Sequence, residues 1–298
     1  MVLSATEHLH PAASGLDTLP GIAVLGHLLA AQAQALQVVG QALPQIEQGA
    51  ALMAAALQGQ GRLIYAGAGS SALMAVSDGL ELGGTFGVPA DRVLLRMAGG
   101  LPVDARMPGD TEDDAQDGTR AAVGLGAGDV VIAVAASGRT PYALAVAKAA
   151  RAQGAQVIAV ANVAGAALFD HADVVICLRT PPEVIAGSTR MGAGTAQKVA
   201  LNMMSTLMGI RLGQVHDGMM VGLVADNEKL RARAAGMVAQ IAGVEATVAA
   251  SALAAAEGAV KPAVLIALGQ APDAARAILR ETKGNLRAAI ARGHKNGI

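Results

Sequence analysis

One pattern constrains this chain more than any other feature, and it occurs twice: a short apolar run, a turn of glycine and small hydroxyl residues, then a helical stretch. In the first copy, residues 62–87 (RLIYAGAGSSALMAVSDGLELGGTFG), positions 63–66 suit a buried strand, Gly67-Ala68-Gly69 breaks it, and Ser70-Ser71 can open a helix. In the second, DVVIAVAA at 129–136 runs into Ser137-Gly138-Arg139-Thr140-Pro141 ahead of a helix over 142–153, with Thr140 at the N-cap and Pro141 at the first helical position. A helix N-terminus presents unpaired backbone N–H groups and a partial positive charge, a good seat for phosphate or carboxylate. The first loop taken alone also reads as an ordinary strand-to-helix turn with a serine cap. Further apolar runs at 93–96, 156–161 and 173–178 alternate with helical stretches. That alternation predicts a parallel α/β sheet with ligands at the carboxyl ends of its strands.

The remaining composition narrows the function classes. Twenty-two Lys+Arg against 23 Asp+Glu give a net charge of −1, so no basic field recruits nucleic acid. With two Tyr, two Phe and no Trp there is little for bases to stack on. The single cysteine, Cys177, excludes an internal disulfide and reads as a small buried hydrophobe. No basic region followed by an apolar core opens the chain, which predicts no signal peptide and a cytoplasmic protein. The charge-free stretch 18–46 contains His27, several Gln and two Pro, which predicts amphipathic helices rather than a membrane span.

In chain order, residues 1–20 read as an extended arm and 21–39 and 43–58 as helices. Asp110-Thr111-Glu112-Asp113-Asp114 is either a solvated helix start, with its acids favoured by the helix dipole, or a chemical element. Residues 181–210 carry Glu183, then Ser188-Thr189-Arg190, then a long helix through Gln197, Lys198, Asn202 and Ser205; Met191, Met203, Met204 and Met208 read as adaptable core filler. From residue 227 the chain is Ala-rich and helical, and Gly243, Gly258 and Gly269 divide it into three or four short helices after 235. The predicted organisation is N-terminal arm and helices over 1–60, a sheet domain over 61–234 and a helical bundle over 235–298. The scattered histidines and lone cysteine match no metal spacing, and no G-x-S-x-G elbow is present.

Taken together, GAGSS, the Glu112-Asp113-Asp114 run, AASGRTPY and GSTRMGAGTAQKVALNMMST (187–206) resemble the N-acetylmuramic acid 6-phosphate etherase family, built on the sugar isomerase (SIS) fold. Thr6-Glu7 and 16–19 resemble the family's opening motif, and 260–263 and 284–289 extend the likeness into the helical tail. The resemblance implies a three-layer fold, a central parallel sheet flanked by helices, with a UBA-like C-terminal bundle. It implies a lyase removing D-lactate from N-acetylmuramic acid 6-phosphate, with no metal and no cofactor, acting as a homodimer whose pockets are shared between chains.

By the same resemblance, Glu81 is the acid that protonates departing lactate and Glu112 the base that takes the C2 proton. Ser70, Ser71, Ser137, Arg139, Thr140, Glu183, Ser188, Thr189 and Arg190 are expected to hold the phosphosugar; Arg139 and Arg190 read equally well as structural arginines. The chain departs from the family pattern at His10, Ala72-Leu73, Gly83-Gly84, Gly218 and Gly222. Two other readings stay open at this point: a non-catalytic phosphosugar-binding regulator, and an aldose–ketose isomerase on the same fold.

Overall fold

The fold is that of a computed structural model describing residues 7–107, 109–225 and 227–295. Thr6 of the opening motif lies outside the described residues. Five parallel strands form one sheet: β1 (Leu63–Gly67), β2 (Val93–Met97), β3 (Val130–Val134), β4 (Gln156–Ala161) and β5 (Val174–Cys177), in the order β2-β1-β3-β4-β5. β1 and β3 are buried along their whole length, the near-continuous apolar character expected of strands covered on both faces. The register pairs Gly67 with both Met97 and Val134, so β1, β2 and β3 end level. Strand order reverses between β1 and β3, the point where open sheets of this kind bind ligands.

The helices α1 (Gly21–Gln37), α2 (Leu43–Gln58), α3 (Gly69–Phe86), α4 (Ala115–Ala121), α5 (Pro141–Ala152) and α6 (Gly192–Arg211) complete the layers. Alternate strand residues serve opposite faces. Ile64, Ala66, Val131, Ala133, Val157 and Ala159 pack with Tyr142 and Val146 of α5. On the other face Ile158 meets α2 at Gly49, against which Met204 of α6 also lies. Cys177, expected buried, is half-buried because β5 is an edge strand that alternates buried and partly open positions. The described part of the expected extended arm, residues 7–20, is instead folded into turns and a 3-10 turn at Leu16–Thr18 that buries Leu16. Of the four methionines expected in the core, Met204 and Met208 are fully buried and Met203 is exposed.

By internal contacts the chain forms two compact units, one of residues up to Leu80 with Asp91–Ser205, the other of Glu81–Ala90 with the residues from Thr206 onward. This differs from the expected boundaries at 60 and 234. Residues up to 60 do not separate, because α2 packs on β1, β3 and β5. Residues 81–90 belong with the second unit, where Val224 N–H donates to the Gly84 carbonyl at 3.3 Å and Phe86 lies against Gly209. That unit adds α7 (Glu228–Ala242), α8 (Ala246–Ala255), α9 (Val260–Ala267), α10 (Pro272–Glu281) and α11 (Leu286–Lys295). Asn227 caps α7 by accepting from Leu230 N–H at 2.9 Å, and Gly243 ends it in the left-handed conformation. Its core is aliphatic and Ala-rich: Ala234, Val238, Ala249, Val260, Val264 and Ala289.

The continuous helical stretch Gly21–Gln58 is long and apolar enough to cross a membrane by length and composition. Its second half, α2, buries Ile46, Ala50, Met53 and Ala54 in the chain's own core. The apolar face left open is that of α1, where Ile22, Leu25, Leu29 and Leu36 are exposed.

Candidate active site

The loop after β1 turns at Gly69, whose φ of +54° suits glycine, and opens α3. The first main-chain bond of the helix runs from Ala72 N–H to the Ala68 carbonyl at 3.1 Å. Among the described residues, nothing accepts from the N–H groups of Gly69, Ser70 and Ser71, so three donors face out of the helix start. Ser70 Oγ lies 3.4 Å from Thr189 Oγ1, which brings the first and third predicted loops together. Ser71 is different: it is 6% exposed, and its Oγ accepts from Ala136 N–H at 3.2 Å and from Gln197 Nε2 at 3.0 Å.

In the loop after β3, Ser137 Oγ accepts from Arg139 N–H at 3.2 Å, a local turn that leaves the Arg139 side chain exposed. Gly138 is left-handed at φ +62°, and an added Cβ would also strike Ala166. Thr140 stands at the N-cap of α5 as expected, but its hydroxyl makes no capping bond. Ser188 and Thr189 are half-buried and Arg190 is exposed. Glu183, expected to contact substrate, is buried with both carboxylate oxygens engaged by the N-terminus of α6: Oε2 accepts from Gly192 N–H at 2.9 Å and Oε1 from Ala193 N–H at 2.8 Å. An acid at a helix N-terminus is stabilised there, so the structure gives Glu183 a capping role.

The acidic run resolves into two functions. Asp114 is the N-cap of α4, accepting from Asp117 N–H at 2.8 Å, and Arg120 pairs with both aspartates at 3.6 and 3.3 Å. Glu112 is not the cap; it sits exposed on the 3-10 turn Asp110–Asp113. Its Oε2 lies 3.9 Å from where a Cβ on Gly69 would stand, so the carboxylate faces the start of α3. Gly69 and Glu112 both line a cavity of about 390 Å³, together with Met97–Gly100, Leu101, Val103 and Arg106. Glu81 is exposed on α3 and falls within the second compact unit. No cluster of metal-ligating side chains occurs among the described residues.

Two buried polar groupings were not foreseen. Tyr65 O–H donates to Asp78 Oδ2 at 2.7 Å, while Asp78 Oδ1 accepts from Asn202 Nδ2 at 2.7 Å and Ser205 Oγ at 2.9 Å. Burial, reinforced by the Asp78 charge and hydrogen bond, pushes the Tyr65 phenol well above its ordinary value. The second grouping joins Ser71, Gln197 and Asn162. Below the sheet ends, Arg62 makes a salt bridge to Asp129 at 2.7 Å. Burial alone would raise the Asp129 carboxyl, but the Arg62 side chain and the backbone N–H groups of Arg62 and Gly126 outweigh it and hold the carboxyl below its usual range.

The departures from the family pattern have local accounts. His10 Nδ1 accepts from Ala12 N–H at 3.0 Å, the two-residue bond an Asn side chain makes in the same kind of turn. Ala72 and Leu73 pack with Val76 and Met97 in a small apolar cluster. At Gly222 an added Cβ would overlap the Gln214 amide, so a larger residue there requires that side chain to move. Gly218 has a left-handed φ of +76° with open space around it, and nothing in the structure explains Gly83-Gly84.

A five-stranded parallel sheet of this order is a doubly wound α/β architecture, and the match of the SIS domain model to residues 28–162 makes it a SIS-type α/β protein. A crystal structure from Bacteroides fragilis, assigned as a phosphosugar isomerase involved in capsule formation, shares the fold with a TM-score of 0.50 and 20% identity, covering 64% of this chain and 91% of its own. Within that class the chain is similar to the N-acetylmuramic acid 6-phosphate etherase of Deinococcus radiodurans, 41% identical over 98% of this chain and 97% of the relative. The etherase of Symbiobacterium thermophilum is 45% identical over 79% of each chain. The chain belongs to the N-acetylmuramic acid 6-phosphate etherase family.

Proposed function

We propose that this protein is an N-acetylmuramic acid 6-phosphate etherase, cleaving the D-lactyl ether to give N-acetylglucosamine 6-phosphate and D-lactate. The observation that supports it most is the placement of Glu112: exposed, relieved of capping duty by Asp114, and facing the unpaired N–H groups that open α3. A phosphate seated on those N–H groups, with Ser70 and Thr189 beside it, leaves the sugar to run into the cavity that Glu112 lines. In the ring-opened sugar the C2 proton is acidic because it neighbours the aldehyde. Glu112 takes that proton, the C3–O ether bond breaks as Glu81 protonates the lactate oxygen, and water adds across the C2=C3 bond to restore a hydroxyl at C3. Two carboxyls in different surroundings divide acid and base work in this way.

The protein works as a cytoplasmic homodimer in this reading. The apolar face of α6 is used within the chain, where Ala193, Ala196, Ala200, Leu201 and Met204 are buried. The open apolar surface is on α1, where Ile22, Leu25, Leu29 and Leu36 recur at near-heptad spacing, a stripe suited to a self-complementary two-fold contact. Incubation with N-acetylmuramic acid 6-phosphate, with assays for D-lactate and N-acetylglucosamine 6-phosphate, tests the activity directly. Binding without lactate release would favour the regulator, and aldose–ketose interconversion without release the isomerase.

A further inference from the structure

We infer that Gln197 is a positioning residue of the phosphate site, acting through Ser71: it fixes the Ser71 hydroxyl as a donor aimed at the bound anion. The inference rests on the reading that phosphate docks at the start of α3. A serine oxygen has two acceptor positions and one proton. At Ser71 both acceptor positions are filled, one by Ala136 N–H at 3.2 Å and one by Gln197 Nε2 at 3.0 Å. The proton must then point away from both donors, and among the described residues nothing accepts it. A buried O–H is thereby held ready beside the free N–H groups of Gly69 and Ser70.

The polarity of this arrangement is fixed from further inside. Asn162, 1% exposed, donates from Nδ2 to the Ala193 carbonyl at 3.4 Å, which turns its Oδ1 toward Gln197. That oxygen takes one proton of Gln197 Nε2 at 2.8 Å, and Ser71 Oγ takes the other. With the amide of Gln197 reversed, its Oε1 would face the Asn162 oxygen, and reversing Asn162 as well would set its oxygen against the Ala193 carbonyl. In the orientation adopted, Gln197 Oε1 is buried without a partner. A fully buried amide that leaves its own acceptor unsatisfied breaks a rule that interiors rarely break, and such sites cluster where function sets the geometry. Here the unsatisfied oxygen follows from directing both amide protons to acceptors, and the result is one more neutral donor for a dianion.

Titration of the full-length protein with inorganic phosphate and with N-acetylglucosamine 6-phosphate tests the inference independently of turnover. In Gln197→Glu an acceptor replaces the donor, the Ser71 proton turns inward, and affinity for both probes falls about ten- to a hundredfold, the range of one hydrogen bond to a charged group. If Gln197→Glu does not fold, Gln197→Met keeps the volume, releases the hydroxyl to rotate and lowers affinity about three- to tenfold. Ser71→Ala lowers it about as much as Gln197→Glu does. The discriminating measurement is the double variant Ser71→Ala, Gln197→Met, which binds as Ser71→Ala alone because Gln197 has no other route to the ligand. A further loss in the double variant, or unchanged affinity in Gln197→Met, overturns the inference. Failure of the wild type to bind either probe overturns the phosphate site and the inference together. Binding without lactate release contradicts the etherase activity alone.

Discussion

The two compact units handle buried polarity in opposite ways. In the first, Ser71, Asp78, Asp129, Asn162, Thr180, Glu183, Gln197 and Ser205 are all buried, whereas in the second His216 is the single buried polar residue among the described residues. The second unit folds on aliphatic contacts between short helices, its most notable polar feature being Lys261, whose half-buried ammonium donates to the Gly213 and Gly284 carbonyls at 3.1 Å each. Burying polar groups costs stability unless each finds a partner. Their concentration around the start of α3 and along α6 therefore marks the region where a fixed geometry matters more than a cheap core.

That contrast yields predictions of decreasing size. Glu112→Gln should lower lactate release by about three orders of magnitude, the middle of the range for general acid–base catalysis, while the unfolding midpoint stays within error because the side chain is exposed and Asp114 holds the cap. Loss of stability on that substitution would show Glu112 to belong with the structural acids. Asp78→Ala strands Tyr65 O–H, Asn202 Nδ2 and Ser205 Oγ, and should cost roughly 3 kcal/mol in urea unfolding.

Asp129→Asn should cost roughly 2 kcal/mol at neutral pH. The stabilisation is carried by a carboxyl whose folded pKa is lowered from 3.8, so it is fully present above about pH 4 and is lost as pH falls through the folded value. The variant should show a flatter acid limb than the wild type. The second unit supplies the smallest effect. Burial pushes the Lys261 ammonium from 10.5 down to about 8, so between those values the unfolded chain binds more protons than the folded one and stability rises with pH. The residue keeps some contact with solvent, so that rise should be of order 1 kcal/mol, and Lys261→Met should abolish it with little change at pH 7. A large loss at pH 7 would mean that the second unit depends on polar contacts as much as the first.

The parts of this architecture written in local sequence were legible there. Every strand was marked by its short apolar run, and Gln156–Ala161 matched its expected limits to the residue. Gly243, Gly258 and Gly269 all take positive φ where helix breaks were expected. What escaped depends on partners far along the chain. Ser71 looked like Ser70, its neighbour, yet one reaches Thr189 and the other is locked by Ala136 and Gln197, 65 and 126 positions away. Glu183 read as a ligand because nothing local shows that α6 will place two N–H groups on it. In the acidic run, only the structure shows which of three consecutive acids caps the helix.

The central claim, that Glu112 is the C2 base and Glu81 the acid for the leaving group, is tested most directly by solvent exchange. With N-acetylmuramic acid 6-phosphate in deuterated buffer, Glu81→Gln should exchange the C2 hydrogen while releasing almost no lactate, and Glu112→Gln should do neither, because removing the base closes the path at its first step. Full lactate release by Glu112→Gln would contradict the assignment, and exchange by that variant without release would reverse the two roles.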